Sequence, residues 1–124
     1  MQKQKTQKIN TKQVEKFQKA QRLQQTGHLV EAEITYKEIL KDIPDNPDCI
    51  HFLGLLFFQK GELDKAEINY KKSIELAKNP TYLNNYALFS YYKKDYKGAI
   101  DLLLESIKLK SDNAEAWYNL GCIY

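Results

Sequence analysis

Ala20, Gly54, Ala87 and Gly121 stand 34, 33 and 34 positions apart, and Ala32, Ala66 and Ala99 repeat the first two intervals, 34 and 33. Two independent series with the same intervals define an internal repeat. Both lose one residue between the second and third copies, so the deletion falls between Ala66 and Ala87. The turn around Asn79 and Pro80 is the place where a shorter loop disturbs no packed face. Within each copy the apolar residues recur three and four apart, the spacing of a helix with one buried face. A hairpin of two such helices cannot bury its own apolar surface, so neighbouring copies must stack. The predicted fold class is therefore all-α, an α-solenoid of antiparallel helix pairs with about three and a half repeats. Their bounds are 13–46, 47–79, 80–113 and a truncated 114–124.

Residues 1–12 carry Lys3, Lys5, Lys8 and Lys12 among glutamines, with no acid and a single Ile, and read as a disordered basic tail. The first helix is predicted over Gln13–Gln25, with Val14, Phe17, Ala20 and Leu23 inward. Gln18, Gln21, Arg22 and Gln25 are polar where the second repeat has Phe52, Leu55, Leu56 and Gln59, as suits the water-facing end of a stack. Gly27 ends that helix, and Leu29–Ile43 returns with Ala32, Tyr36, Ile39 and Leu40 inward. Asn46-Pro47 and Asn79-Pro80 each place a capping side chain before a proline at the first helical position. The helix Asp48–Lys60 is apolar on two opposed stripes and needs cover on both. Its return helix is Leu63–Ala77, with Gly54 and Ala66 the expected point of close approach. The third repeat has Leu83, Tyr86, Ala87 and Ser90 on one stripe, and Ala99, Leu103, Ser106 and Ile107 on the other. There Lys94-Asp95 replaces the turn glycines Gly27 and Gly61, so that turn is expected to be strained or differently shaped. Ala114–Tyr124 repeats the first helix once more, with no return helix to cover its apolar side. The stretch is expected to belong to a longer array and to self-associate through this last helix.

The net charge of +3 is carried by the four tail lysines, which leaves the remainder at −1. That balance gives no basic footprint for nucleic acid. Neither a signal-peptide region nor an apolar run long enough for a bilayer is present, so no membrane partner is expected. Cys49 and Cys122 lie far apart in equivalent helices and form no disulfide framework, which points to a reducing, cytoplasmic location. Cys49 and His51, two apart on a helix, point in different directions and make no metal site. With no nucleophile–base pair and no phosphate-cradling loop, catalysis and cofactors are not expected. The tyrosines Tyr82, Tyr86, Tyr91, Tyr92 and Tyr96 read as packing residues, because no basic residues are interleaved with them.

Trp117, Leu120, Gly121 and Tyr124, with Ala32-x3-Tyr36 and Ala66-x3-Tyr70 in the return helices, resemble the tetratricopeptide repeat (TPR). The resemblance covers residues 13–124. It departs from the pattern at Ala20 and Ala87, at Leu103 in place of the aromatic, and at Ser111 in place of the closing proline. It implies a right-handed superhelix whose first helices line a concave groove for a protein or peptide partner. The groove-facing residues it implies are Gln18 and Gln21; Phe52, Leu55 and Gln59; Asn85, Leu88 and Tyr92; and Asn119 and Cys122. Asn85 and Asn119 each precede the small residue by two. There they resemble the asparagine ladder of O-linked N-acetylglucosamine transferase TPR domains, whose amides hold the backbone of an extended peptide. Two functions follow as expectations: a non-catalytic scaffold binding an extended peptide or helix, or the substrate-recruiting arm of such a glycosyltransferase. Lysine-clamp recognition of a terminal carboxylate is not expected, since the second and third repeats offer no cation on that face.

Overall fold

A computed structural model of the chain describes residues 10–124. Among them are seven helices and no strand: α1 Thr11–Gln25, α2 Leu29–Asp42, α3 Pro47–Gln59, α4 Leu63–Leu76, α5 Pro80–Tyr92, α6 Tyr96–Leu109 and α7 Ala114–Ile123. The predicted tail falls outside the described residues except at its end. There α1 starts two residues earlier than the spacing predicts, because Asn10 and Gln13 form a reciprocal capping box. The Gln13 backbone N–H donates to Asn10 Oδ1 at 2.9 Å, and the Asn10 backbone N–H donates to Gln13 Oε1 at 3.2 Å.

The chain divides inside α4 into two compact units, one ending at Asn69 and one beginning at Tyr70. In the first unit Ala20, Ala32, Tyr36, Ile39, Leu53, Leu56 and Ala66 are buried. Phe17 meets Tyr36 and Phe52 edge-on, with ring centroids 5.9 and 5.7 Å apart. Val14, expected inward, is exposed. The inward stripe of α1 is Gln13, Phe17, Ala20 and Gln24, a helical series whose two ends are amides rather than apolar groups. Gln13 Nε2 donates to Asp42 Oδ2 at 3.3 Å, so the polar end is tied to α2.

The core of the second unit is Ala87, Ala99, Leu103, Ala116 and Leu120, with Ile100, Leu102, Ile107 and Ile123 packed against it. Tyr70 stacks on Tyr86 at 5.4 Å and meets Phe89 at 5.3 Å. Tyr82 and Tyr86 are buried, whereas Tyr91, Tyr92 and Tyr96 are exposed, with Tyr91 and Tyr96 in ring contact at 5.5 Å.

The three hairpin turns share one hydrogen-bond pattern. Gly27, Gly61 and Lys94 donate to the carbonyls of Gln24, Phe58 and Tyr91. The next residues, His28, Glu62 and Asp95, donate to Leu23, Phe57 and Ser90. All three first residues have positive φ: 85° for Gly27, 81° for Gly61 and 69° for Lys94. The third turn is therefore not differently shaped; a lysine adopts the left-handed conformation that the other two give to glycine. Asp95 then caps α6, accepting from the Gly98 N–H at 3.0 Å. Gly98 leaves room for that carboxylate, since an added Cβ would meet the Asp95 side chain at its Oδ2 and, 2.8 Å away, at its Cγ. Because a left-handed side-chain-bearing residue costs about 1–2 kcal/mol, Lys94→Gly is expected to stabilise the chain by roughly 1 kcal/mol. A higher urea midpoint at unchanged slope checks this; a lower midpoint refutes it.

Candidate partner-binding surface

The first helices of the second, third and fourth repeats are each fixed at their start by an asparagine. Asn46 accepts from the Cys49 N–H at 3.0 Å, Asn79 from the Thr81 N–H at 2.8 Å, and Asn113 from the Ala116 N–H at 3.1 Å. These caps fix where each helix begins, and the packed stripe of small and apolar residues leaves the opposite side chains facing away from the return helices.

In the first unit that face opens into a shallow concavity of about 110 Å³ between α1 and α3, lined by Gln21, Gln24, Gln25, Phe52, Leu55 and Gln59. Four of the predicted residues, Gln21, Phe52, Leu55 and Gln59, come together here. Gln18 is exposed on α1 and lies outside the lining. The residue that organises the site, Gln24, is absent from the predicted set. It is buried, accepts from the Tyr36 hydroxyl at 2.6 Å, and donates to the Phe52 carbonyl at 3.2 Å and to Gln59 Oε1 at 2.9 Å. One amide thus ties α1, α2 and α3 together. The repeat carries a signal for it, because Gln24 aligns with Phe58 and Tyr91, which are partly covered and cavity-lining respectively. Gln59, with its Oε1 engaged by Gln24, has its Nε2 left to offer.

In the second unit a cavity of about 300 Å³ lies among α5, α6 and α7, lined by Ala87, Leu88, Tyr91, Leu103, Asn119, Cys122 and Ile123. Of the predicted residues it gathers Leu88, Asn119 and Cys122. Asn85 is partly buried on α5 and Tyr92 is exposed, and neither lines it. Tyr91 takes the place expected of Tyr92. The walls are apolar apart from Asn119, the Tyr91 hydroxyl and the Cys122 thiol. Asn119 holds its Nδ2 covered by protein with no hydrogen-bond acceptor in reach.

Cys49 and His51 are both buried. Burial, with a smaller contribution from the Asp48 charge, pushes the Cys49 thiol up to about 12, so it is no thiolate at neutral pH. Burial lowers His51 to about 4, and its ring meets Phe52 edge-on at 5.0 Å. Burial also raises the Tyr36 hydroxyl, which is held as a donor to Gln24. Among the described residues no three His, Cys, Asp or Glu side chains gather in a metal-binding arrangement.

Two family models match the sequence: one described as a tetratricopeptide repeat over residues 47–80, and one described as a TPR repeat over residues 90–124. The chain is 33% identical over 79 residues to BBSome complex member bbs-4 of Caenorhabditis elegans, a match covering 58% of this chain and 17% of that protein. Its fold is similar to the structure of PilF from Pseudomonas aeruginosa, with a TM-score of 0.84 at 26% identity over 90% of this chain and 51% of the other. It is also similar to an O-GlcNAc transferase from Thermobaculum terrenum, with a TM-score of 0.80 at 21% identity over 93% of this chain and 23% of that one, a likeness of fold. The chain thus spans about a sixth of the curated relative and about half of the PilF structure.

Proposed function

This chain belongs to the tetratricopeptide repeat family, and from that premise we propose that it is a non-catalytic interaction scaffold that holds an extended segment of a partner protein on its first-helix face. The observation that supports this reading is that seven of the ten first-helix residues implied by the resemblance line an open concavity in one unit or the other. An extended peptide presents carbonyls and N–H groups on its edges and a side chain at every second residue. Amides pair with the former whatever the peptide sequence, and an apolar cavity takes the latter. Asn119 suits such a peptide, because its covered Nδ2 lacks an acceptor. That arrangement costs about 1–3 kcal/mol, and a peptide carbonyl, reached by rotation of the amide, would relieve it. No described helix is long and apolar enough to cross a membrane. We place the chain in the cytoplasm, where the free thiols of Cys49 and Cys122 persist.

The test uses peptides selected by the full chain from a phage-displayed random dodecapeptide library. Replacing two amides, Asn85→Ala with Asn119→Ala, is expected to weaken the selected peptides about tenfold or more while the chain keeps its helicity. Equal affinity in the double variant would remove the asparagines from the reading, and failure to select any peptide would remove the groove itself.

The positions of Asn85 and Asn119, two before the small residue, also favour the reading of a glycosyltransferase recruiting arm. The reading frame that follows Tyr124 in the gene decides it. A glycosyltransferase domain there supports the arm; a stop codon or only further repeats removes it.

A further inference from the structure

We infer that the concavity between α1 and α3 is the seat of one uncharged carboxamide side chain, a glutamine or asparagine of the partner segment. The inference rests on the groove reading above and narrows it, because at this place the partner is read by a side chain and not only by its backbone.

The first support is a hydrogen-bond relay that fixes which way an amide faces. The Phe52 carbonyl can only accept, so the end of the Gln24 amide lying 3.2 Å from it is Nε2. Oε1 of the same amide takes the Tyr36 hydroxyl at 2.6 Å, and the second Nε2 proton goes to Gln59 Oε1 at 2.9 Å. Gln59 therefore turns its own Nε2 away from Gln24, as a donor at the rim of the concavity it lines. Phe58 and Tyr91 stand where the later copies would need the relaying amide, so the device belongs to the first repeat.

The second support is the chemistry of the lining. Besides Gln24 it consists of three amides, Gln21, Gln25 and Gln59, and two half-buried apolar side chains, Phe52 and Leu55. No charged residue is among them, and Lys60, next in the chain, is engaged by Glu33 at 3.0 Å and Glu62 at 3.5 Å. A carboxylate would leave water here with no cation to meet it, which disfavours an acidic side chain. An apolar side chain would cover the Gln59 donor without supplying an acceptor, which disfavours an aliphatic one. A carboxamide satisfies both conditions. Its oxygen accepts from Gln59, its N–H groups donate to the Gln21 and Gln25 oxygens, and its methylenes lie on Phe52 and Leu55.

The third support is size. A volume of about 110 Å³ lies well below the ~300 Å³ at which small-molecule pockets begin, and suits a single side chain of an extended segment.

The probes are the N-acetyl, N-methylamide derivatives of glutamine, glutamate and methionine, which share a backbone and nearly a side-chain length. Each is titrated into the isotope-labelled full chain, and the Phe52 and Leu55 backbone amide signals are followed by NMR. The glutamine derivative is expected to give saturating shifts, with the Gln59 side-chain amide among the signals that move. It should bind at least about tenfold more tightly than either of the others. Gln59→Met, at an exposed position, is expected to keep helicity and to bring the three probes within about twofold of one another. No saturating shift, equal affinity for all three, tighter binding of the glutamate or methionine derivative, or a preference that survives Gln59→Met would each overturn the inference. The peptide library judges the groove reading separately. Selected peptides with indifferent probes remove the carboxamide seat alone, and a failed selection with a clear probe preference removes the groove alone.

Discussion

Asn113→Ala is expected to lower stability by roughly 2–4 kcal/mol, with α7 the first element to melt. The side chain of Asn113 is buried and serves three partners at once. Its Oδ1 caps α7 at the Ala116 N–H and accepts from Asn84 Nδ2 at 3.3 Å, while its Nδ2 donates to Ser106 Oγ at 2.8 Å. The Ser106 hydroxyl in turn donates to the Pro80 carbonyl at 3.2 Å. Removing Asn113 costs a helix cap, worth about 1 kcal/mol, and takes one of the partners from each of two buried polar groups. Asn84 keeps a contact with Glu115 Oε1 at 3.5 Å, and Ser106 keeps the Pro80 carbonyl. Repeat arrays lose stability locally, so the expected signature is a partial loss of helicity and a red-shifted Trp117 emission before the main transition. Asn113→Asp retains the cap oxygen and loses the donor to Ser106, and should fall between the two. If Asn113→Ala unfolds as the parent chain does, the network contributes nothing. Because Asn119 and Cys122 sit on α7, the same variant should also lose the selected peptides.

Acidification should weaken the fold through His51. In the unfolded chain this imidazole titrates near 6.5, while in the folded chain burial lowers it to about 4. Between those values the unfolded state binds the proton and the folded state does not, so stability is full above about pH 6.5 and falls as pH drops toward 4. The loss expected from this group is roughly 3 kcal/mol, reached below pH 4. The upper part of the window, from pH 6.5 to 5, belongs to His51 alone among these contributions. Glu33, held below the ordinary carboxylate range chiefly by its hydrogen bond with Lys37 and further by Lys60, adds its loss only at lower pH. Urea unfolding across this range should show the slope in the parent chain and lose it between pH 6.5 and 5 in His51→Leu, whatever that variant does to stability at neutral pH. A parent chain equally stable at pH 6.5 and 5 refutes the assignment.

The features legible in the sequence are those set by sterics. Ala20, Gly54, Ala87, Ala32, Ala66 and Ala99 recur at the repeat interval, and all are buried. The turn at Lys94 can be placed from its alignment with Gly27 and Gly61, and its left-handed φ follows from the shared hydrogen-bond pattern. Polar residues are harder to assign. Gln13, Gln24, Asn84 and Asn113 look like surface residues by composition, yet each is buried and paired with a group 28 to 35 residues away or, for Asn113 and Ser106, across the loop between α6 and α7. Cavity walls are legible only in part. Leu88, Asn119 and Cys122 follow from the stripe opposite the packing face, but Tyr91 does not, because it lies on the seam between the two faces.

The sequence by itself determined the period, the hairpins, the helix starts at Asn46 and Asn79 and the turns, because each depends on residues close in the chain or on excluded volume. Tertiary structure alone decided which amides bind the helices to one another and which are left for a partner. The physical reason is that an amide exchanges water for a protein partner at a net gain of only about 0.5–1.5 kcal/mol. Gln21 and Gln24, three residues apart on one helix, are therefore chemically indistinguishable until the hydroxyl of Tyr36 and the carbonyl of Phe52 arrive beside one of them.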